Sequence, residues 1–118
     1  MAIPLHGGGE DLYIDPAKFH AQFAADLKAS EAALMAATQR SVAQAALVEE
    51  SGEASWKRLP SYAIYGSEDR NIPAEVMKFM AERAKSKKTV VLQGASHALM
   101  LSHPDEVAAL IAEAVSSQ

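Results

Sequence analysis

The chain has 118 residues, 49% of them hydrophobic, and a formal net charge of -4 at pH 7, which is the size of one small globular domain with enough apolar side chains for a core. The acidic balance excludes a surface built to hold nucleic-acid phosphates, which needs clustered Lys and Arg. With no cysteine there is no disulfide, thiol nucleophile or Cys-based zinc site, and with no run near the ~20 apolar residues of a membrane span and no signal-like start the expected setting is soluble and cytoplasmic.

The first elements are "AIPL" and "DLYI", apolar runs separated by "HGGGE", the pattern of a hairpin with a flexible turn. "HGGG" is also the form of an oxyanion-hole loop, but that role needs a later G-x-S-x-G turn to carry a nucleophile. No such turn occurs; "GASHA" at Gly94 to Ala98 lacks the last glycine, and little chain follows Ser96 to supply both an acid and a base. "HGGGE" therefore reads as a turn and Ser96 as a loop serine.

Asp15 is placed to cap a helix with Pro16 at its first position, and Phe19, Phe23 and Leu27 recur at helical spacing. Ser30 is the expected cap of a second helix carrying Leu34 and Met35, and Ser41 the start of a short third one through Leu47. These apolar stripes read as packing faces, because a helix must bury one side. "EESGEASWKRLP" reads as a loop containing Trp56.

After Pro60 the pattern alternates. "YAIY" and "TVVLQ" are apolar runs of buried-strand type, and a helix between them opens at Pro73 and carries Val76, Phe79, Met80 and Ala84. That is a βαβ unit with parallel strands and a right-handed crossover. "KSKK" at Lys85 to Lys88 suits a solvated helix end. A last helix, started by Ser102 and Pro104, presents Val107, Leu110, Ile111, Ala114 and Val115 for packing on the sheet.

Both strands run into polar loops at their carboxyl ends, "GSEDRNIP" and "GASHAL", where open α/β sheets hold their chemistry. Asp69 follows the first strand and His97 the second, so neighbouring parallel strands deliver a carboxylate and an imidazole to one edge. A carboxylate bonded to one ring nitrogen fixes the tautomer and leaves the other to take a proton from a nucleophile. The structural alternative is an Asp serving turn amides and a surface His. His6, His20 and His103 show no metal-ligand spacing and read as solvent-facing or locally packed.

"GSEDRNIPAEVMKFMAERA" followed by "VVLQGASHALMLSHPDEVAALI" resembles the end of an α/β-hydrolase, in the branch of small-ester hydrolases, methylesterases and hydroxynitrile lyases. The resemblance runs from about Leu12 to Val115. It implies a hairpin-like leader and helical cap segment over residues 1–59, then the carboxy-terminal β-α-β-α part of the hydrolase core over 60–118. It places the family's acid on Asp69 and its base on His97, with no cofactor and no metal. The early strands, oxyanion loop and nucleophile turn of that family have no counterpart in these residues. Three readings follow: the carboxy-terminal portion of a serine hydrolase, inactive by itself; one chain of a split hydrolase; or a non-catalytic, oligomeric binding module. Each implies an ester-like ligand only when the other half is supplied, with self-association or a complementary chain as the partner.

Overall fold

A computed structural model describes residues 1–6 and 8–117. The first part of the chain holds a small antiparallel sheet and two packed helices. β1 (Ala2–Pro4) and β2 (Glu10–Leu12) form the expected hairpin, pairing Ala2 with Leu12 and Pro4 with Glu10. Gly8 and Gly9 turn it at φ +93° and +90°, a region that side chains beyond glycine rarely enter; Gly7 of the same turn lies outside the described residues.

α1 (Pro16–Phe23) starts as its sequence dictates, with the Asp15 carboxylate accepting the Ala17 N–H at 2.9 Å. It ends earlier than the spacing suggests. Leu27 lies beyond it in a tight loop, where its carbonyl bonds His20 Nε2 at 2.9 Å and its side chain still packs on the core. α2 (Ala29–Thr38) is capped at Lys28, not Ser30, and Glu31 accepts the Lys28 N–H at 3.2 Å. The carboxylate at the third helical position satisfies the N–H of the cap residue, the reach-back half of a capping box.

Ser41 does not open a helix. Its hydroxyl donates to Asp11 Oδ2 at 2.8 Å, and Val42–Ala43 form β3, which adds to β2 before α3 (Gln44–Val48) begins. Gln39 secures this corner with its amide bonded to both backbone groups of Ile14, at 3.0 and 2.9 Å, and to the Ala36 carbonyl. Phe19, Ala24, Ala32 and Ala36 form the core where α1 crosses α2, and the small alanines bring the two backbones close. Ala98, from the far end of the chain, completes that core.

The second part follows a turn of 3-10 helix (Ser55–Lys57), where Arg83 lies 5.3 Å from the Trp56 ring centre and tethers the connection. β4 (Tyr62–Gly66) pairs in parallel with β5 (Lys88–Leu92), from Tyr62 against Lys88 to Gly66 against Leu92. α4 (Ala74–Arg83) connects them, and both α4 and α6 (Pro104–Ser116) pack on β4; a short α5 (Leu99–Ser102) precedes α6. The chain is thus a mixed α/β fold, a helical region followed by a β-α-β-α unit with a two-stranded parallel sheet. Among the described residues no helix is long and apolar enough to cross a membrane.

The full burial expected of the strands and last helix is not met. Leu110 is buried and Val107 half-buried, but Ile111 is 59% and Val115 68% exposed, as are Phe79 on α4 and Val91 on β5 in large part. The cause is width: an apolar helix stripe spans 100° or more, and two strands about 5 Å apart cover only one flank of it.

Two contacts can be tested, one between the loops that follow β4 and β5 and one between the two parts of the chain. A side chain on Gly66 would put its Cβ 2.1 Å from the Ala95 carbonyl oxygen and 2.8 Å from that of Ser96. Gly66→Ala is expected to lower stability by about 1–3 kcal/mol in urea denaturation, against less than about 0.5 kcal/mol for Gly52→Ala, which meets nothing within 4 Å.

The other contact is Asp26, which accepts the Ser102 hydroxyl at 2.6 Å while His103 Nδ1 lies 2.9 Å from that same oxygen. Burial favours the neutral acid, but the Ser102 hydroxyl and nearby backbone outweigh it and hold the Asp26 carboxyl below its usual range. A depressed folded value means the stabilisation is complete above the unfolded carboxylate pKa of about 3.9 and fades as pH falls through the lower folded value. The stability gap between wild type and Asp26→Asn is expected to be largest near neutrality and to close in acid; a gap that stays constant with pH would contradict the clasp.

Candidate active site

The carboxyl ends of β4 and β5 are stapled to each other before any functional side chain appears. Ser67 donates its N–H to Leu92 O at 2.9 Å, Gly94 N–H donates to Ser67 Oγ at 2.9 Å, and Glu68 N–H donates to Ala95 O at 3.1 Å. These bonds continue the strand pairing into the loops and hold them in one register.

Asp69 and His97, the two residues singled out from the sequence, sit in these loops and meet there. Asp69 Oδ2 accepts from His97 Nδ1 at 2.7 Å, and Oδ1 accepts the N–H groups of Asn71 and Ile72 at 2.8 and 2.9 Å. The turn thus satisfies the oxygen that the imidazole does not use, so neither oxygen of a side chain only 3% exposed lacks a partner. The alternative of an Asp serving turn amides is half of what is seen; it serves them and the histidine together. With Nδ1 donating, Nε2 carries the free lone pair.

Ser96 lies beside His97 yet points away from solvent. It is 1% exposed, donates to the Phe23 carbonyl at 3.2 Å and accepts the Ala98 N–H at 3.3 Å. Its hydroxyl is a structural bridge. The Phe23 carbonyl also accepts the Ala98 N–H at 3.0 Å, and the Phe23 ring stacks at a tilt on the His97 ring with centres 4.7 Å apart. The His97 imidazole is therefore held on one side by Asp69 and on the other by the end of α1. Neither Phe23 nor Asp26 was foreseen, because nothing local marks a residue whose partner lies more than seventy positions on.

The remaining histidines are dispersed. His20 bonds Leu27, His103 bonds Ser102, and His6 is exposed. Among the described residues no group of three His, Cys, Asp or Glu side chains converges as a metal site needs.

A cleft of about 660 Å³ runs along α1, α2 and β2 and is lined by neither Asp69 nor His97. Its apolar wall comes from Leu12, Ile14, Phe19, Phe23, Met35 and Leu47, and Asn71 lines its floor. Phe23 and Asn71 are the link to the pair, one packed on His97 and the other bonded through its N–H to Asp69.

The chain is similar to known proteins. Residues 2–110 match the model of the alpha/beta hydrolase family. Over 53 residues, 45% of the chain, it is 38% identical to the pimeloyl-[acyl-carrier protein] methyl ester esterases of Yersinia pseudotuberculosis and Yersinia pestis, spanning 20% of their length. The crystal structure of polyneuridine aldehyde esterase covers 91% of the chain with a TM-score of 0.75 at 19% identity, and the chain covers 44% of that protein; at such identity the likeness is one of fold. The chain spans less than half the length of these relatives. With a match across residues 2–110 and a β-α-β-α unit to carry it, the chain belongs to the alpha/beta hydrolase family.

Proposed function

We propose that this chain is the carboxy-terminal portion of an esterase-like serine hydrolase, in which residues 1–59 act as cap segment and 60–118 as the end of the core, supplying Asp69 as the acid and His97 as the base of a triad. The observation that carries the proposal is the 2.7 Å bond from His97 Nδ1 to an Asp69 carboxylate whose other oxygen is already satisfied. In acyl transfer, Nε2 takes the proton of a serine hydroxyl as its oxygen attacks the ester carbonyl, and returns it to the departing alkoxide; water then repeats the sequence on the acyl-enzyme. Asp69 stays ionised throughout and stabilises the imidazolium. The chemistry needs no cofactor or metal.

The nucleophile and the oxyanion donors must come from another segment, since the sequence has no G-x-S-x-G and Ser96 is committed to Phe23. The names of the relatives favour a small alkyl ester as substrate. β4 pairs only with β5 among the described residues, leaving an open edge beside the exposed Phe79 and Ile111. An unpaired edge and an apolar flank recruit chain, which supports a complementary half, or self-association in its absence.

By itself the 118-residue chain is expected to hydrolyse p-nitrophenyl butyrate no faster than its His97→Ala variant, because a triad's members act as a unit. Added to a nucleophile-bearing amino-terminal portion of a family member, it is expected to restore turnover that His97→Ala abolishes and Asp69→Asn cuts by about 10⁴-fold. Restoration insensitive to His97 would reject the assignment. Light scattering over a dilution series is expected to show a concentration-dependent mass; a monomer with a sharp, concentration-independent melt would mean the open edge is sealed internally.

A further inference from the structure

The polar groups of the cleft divide into committed and free ones, and the free ones are donors. Thr38 Oγ1 donates to the Leu34 carbonyl, and Gln39 spends its amide on Ile14 and Ala36. Asn71 Oδ1 accepts from Gln22. What is left along the cleft is the Arg40 guanidinium, the Tyr13 hydroxyl and the Asn71 NH2 group; among the described residues Arg40 has no ion pair and Tyr13 no side-chain hydrogen bond. No Asp or Glu lines the cleft. The nearest carboxylate in sequence, Asp11, accepts from Ser41 instead.

A largely apolar cleft with one uncommitted cation and no anion selects a ligand of matching polarity: an apolar body that desolvates the wall, and an anionic end that the guanidinium holds by charge-assisted, bidentate hydrogen bonds. We infer that the cleft binds an amphiphilic carboxylate, with its hydrocarbon part along Phe19, Phe23 and Met35 and its carboxylate on Arg40. The inference deepens the esterase reading, since a substrate so held is an ester carrying a free carboxylate at the end remote from the bond cleaved, but binding itself needs neither nucleophile nor turnover. Because Phe23 touches both cleft and His97, occupancy is felt at the imidazole.

The test uses the whole chain and three probes of equal length: octanoate, octanamide and octylammonium, followed by amide and methyl NMR and by calorimetry. Octanoate is expected to perturb Phe23, Met35 and His97 and to bind about tenfold or more tightly than octanamide, the ratio that one charge-assisted bond supplies, while octylammonium does not bind the cleft. Arg40→Gln should erase the preference for octanoate and leave octanamide unchanged, with Arg40→Lys recovering part of it; Arg40 is exposed, so the fold is unaffected and an unchanged spectrum of the free variant verifies this. Equal binding of octanoate and octanamide, an Arg40→Gln variant that keeps the preference, or perturbations confined to α4 and α6 would each overturn the inference. The His97→Ala variant is expected to retain octanoate binding, so failure of the catalytic assignment leaves this result standing, and the reverse holds as well.

Discussion

The contact on which most of the molecule depends is the Phe23 carbonyl. It accepts both the Ser96 hydroxyl and the Ala98 N–H, the groups on either side of His97. One oxygen thus ends α1, joins the helical segment to the β-α-β-α unit, and fixes the backbone that carries the imidazole. A buried carbonyl that lost these donors would pay its full desolvation cost, so separating the two parts of the chain and disordering the His97 loop are the same event. Ser102 and Asp26 add a second bond across the same junction one turn later.

A second set of contacts, between the loops that follow β4 and β5, explains why Asp69 can remain so buried. Its loop is not held by its own residues alone; the staples from Ser67 to Leu92 and Gly94, and the approach of Gly66 to Ala95, bind it to the loop of His97. Parallel strands bring two carboxyl ends to one edge, but pairing stops at Leu92. Without the continued loop-to-loop bonds the carboxylate and imidazole would be neighbours by topology and still free to part. Gly66 matters because it has nothing in the way, which lets the loops close to hydrogen-bond range.

The second part of the chain was legible from the sequence because its signals are local and repeat: apolar runs of strand length, a proline at a helix start, and an acid and a histidine just past two strand ends. The first part was less so. β3 is two residues long and takes its conformation from pairing with β2 some thirty positions earlier, and no periodicity marks so short a strand. Ser30 meets the propensity rule for a cap, yet the helix begins one residue before it, at Ala29, with Glu31 reaching back to the Lys28 N–H. The Asp69–His97 meeting followed from strand order, whereas Phe23, Asp26 and Ser96 act through partners that only the folded chain supplies.

Ile111, Val115, Phe79 and Val91 show the same division from the energetic side. Each stands in a periodic pattern that reads as core, and each is 40% or more exposed. Sequence periodicity reports the environment for which a helix or strand was selected, while exposure reports the environment it has. Their disagreement recurs in the first part of the chain, where Leu34 on α2 and Leu47 on α3 are 66% and 65% exposed, while in the α1–α2 core Phe19, Ala24 and Ala32 are buried. The chain covers 44% of polyneuridine aldehyde esterase, and Asp69 and His97 meet at the carboxyl end of a sheet whose two strands pair only with each other among the described residues.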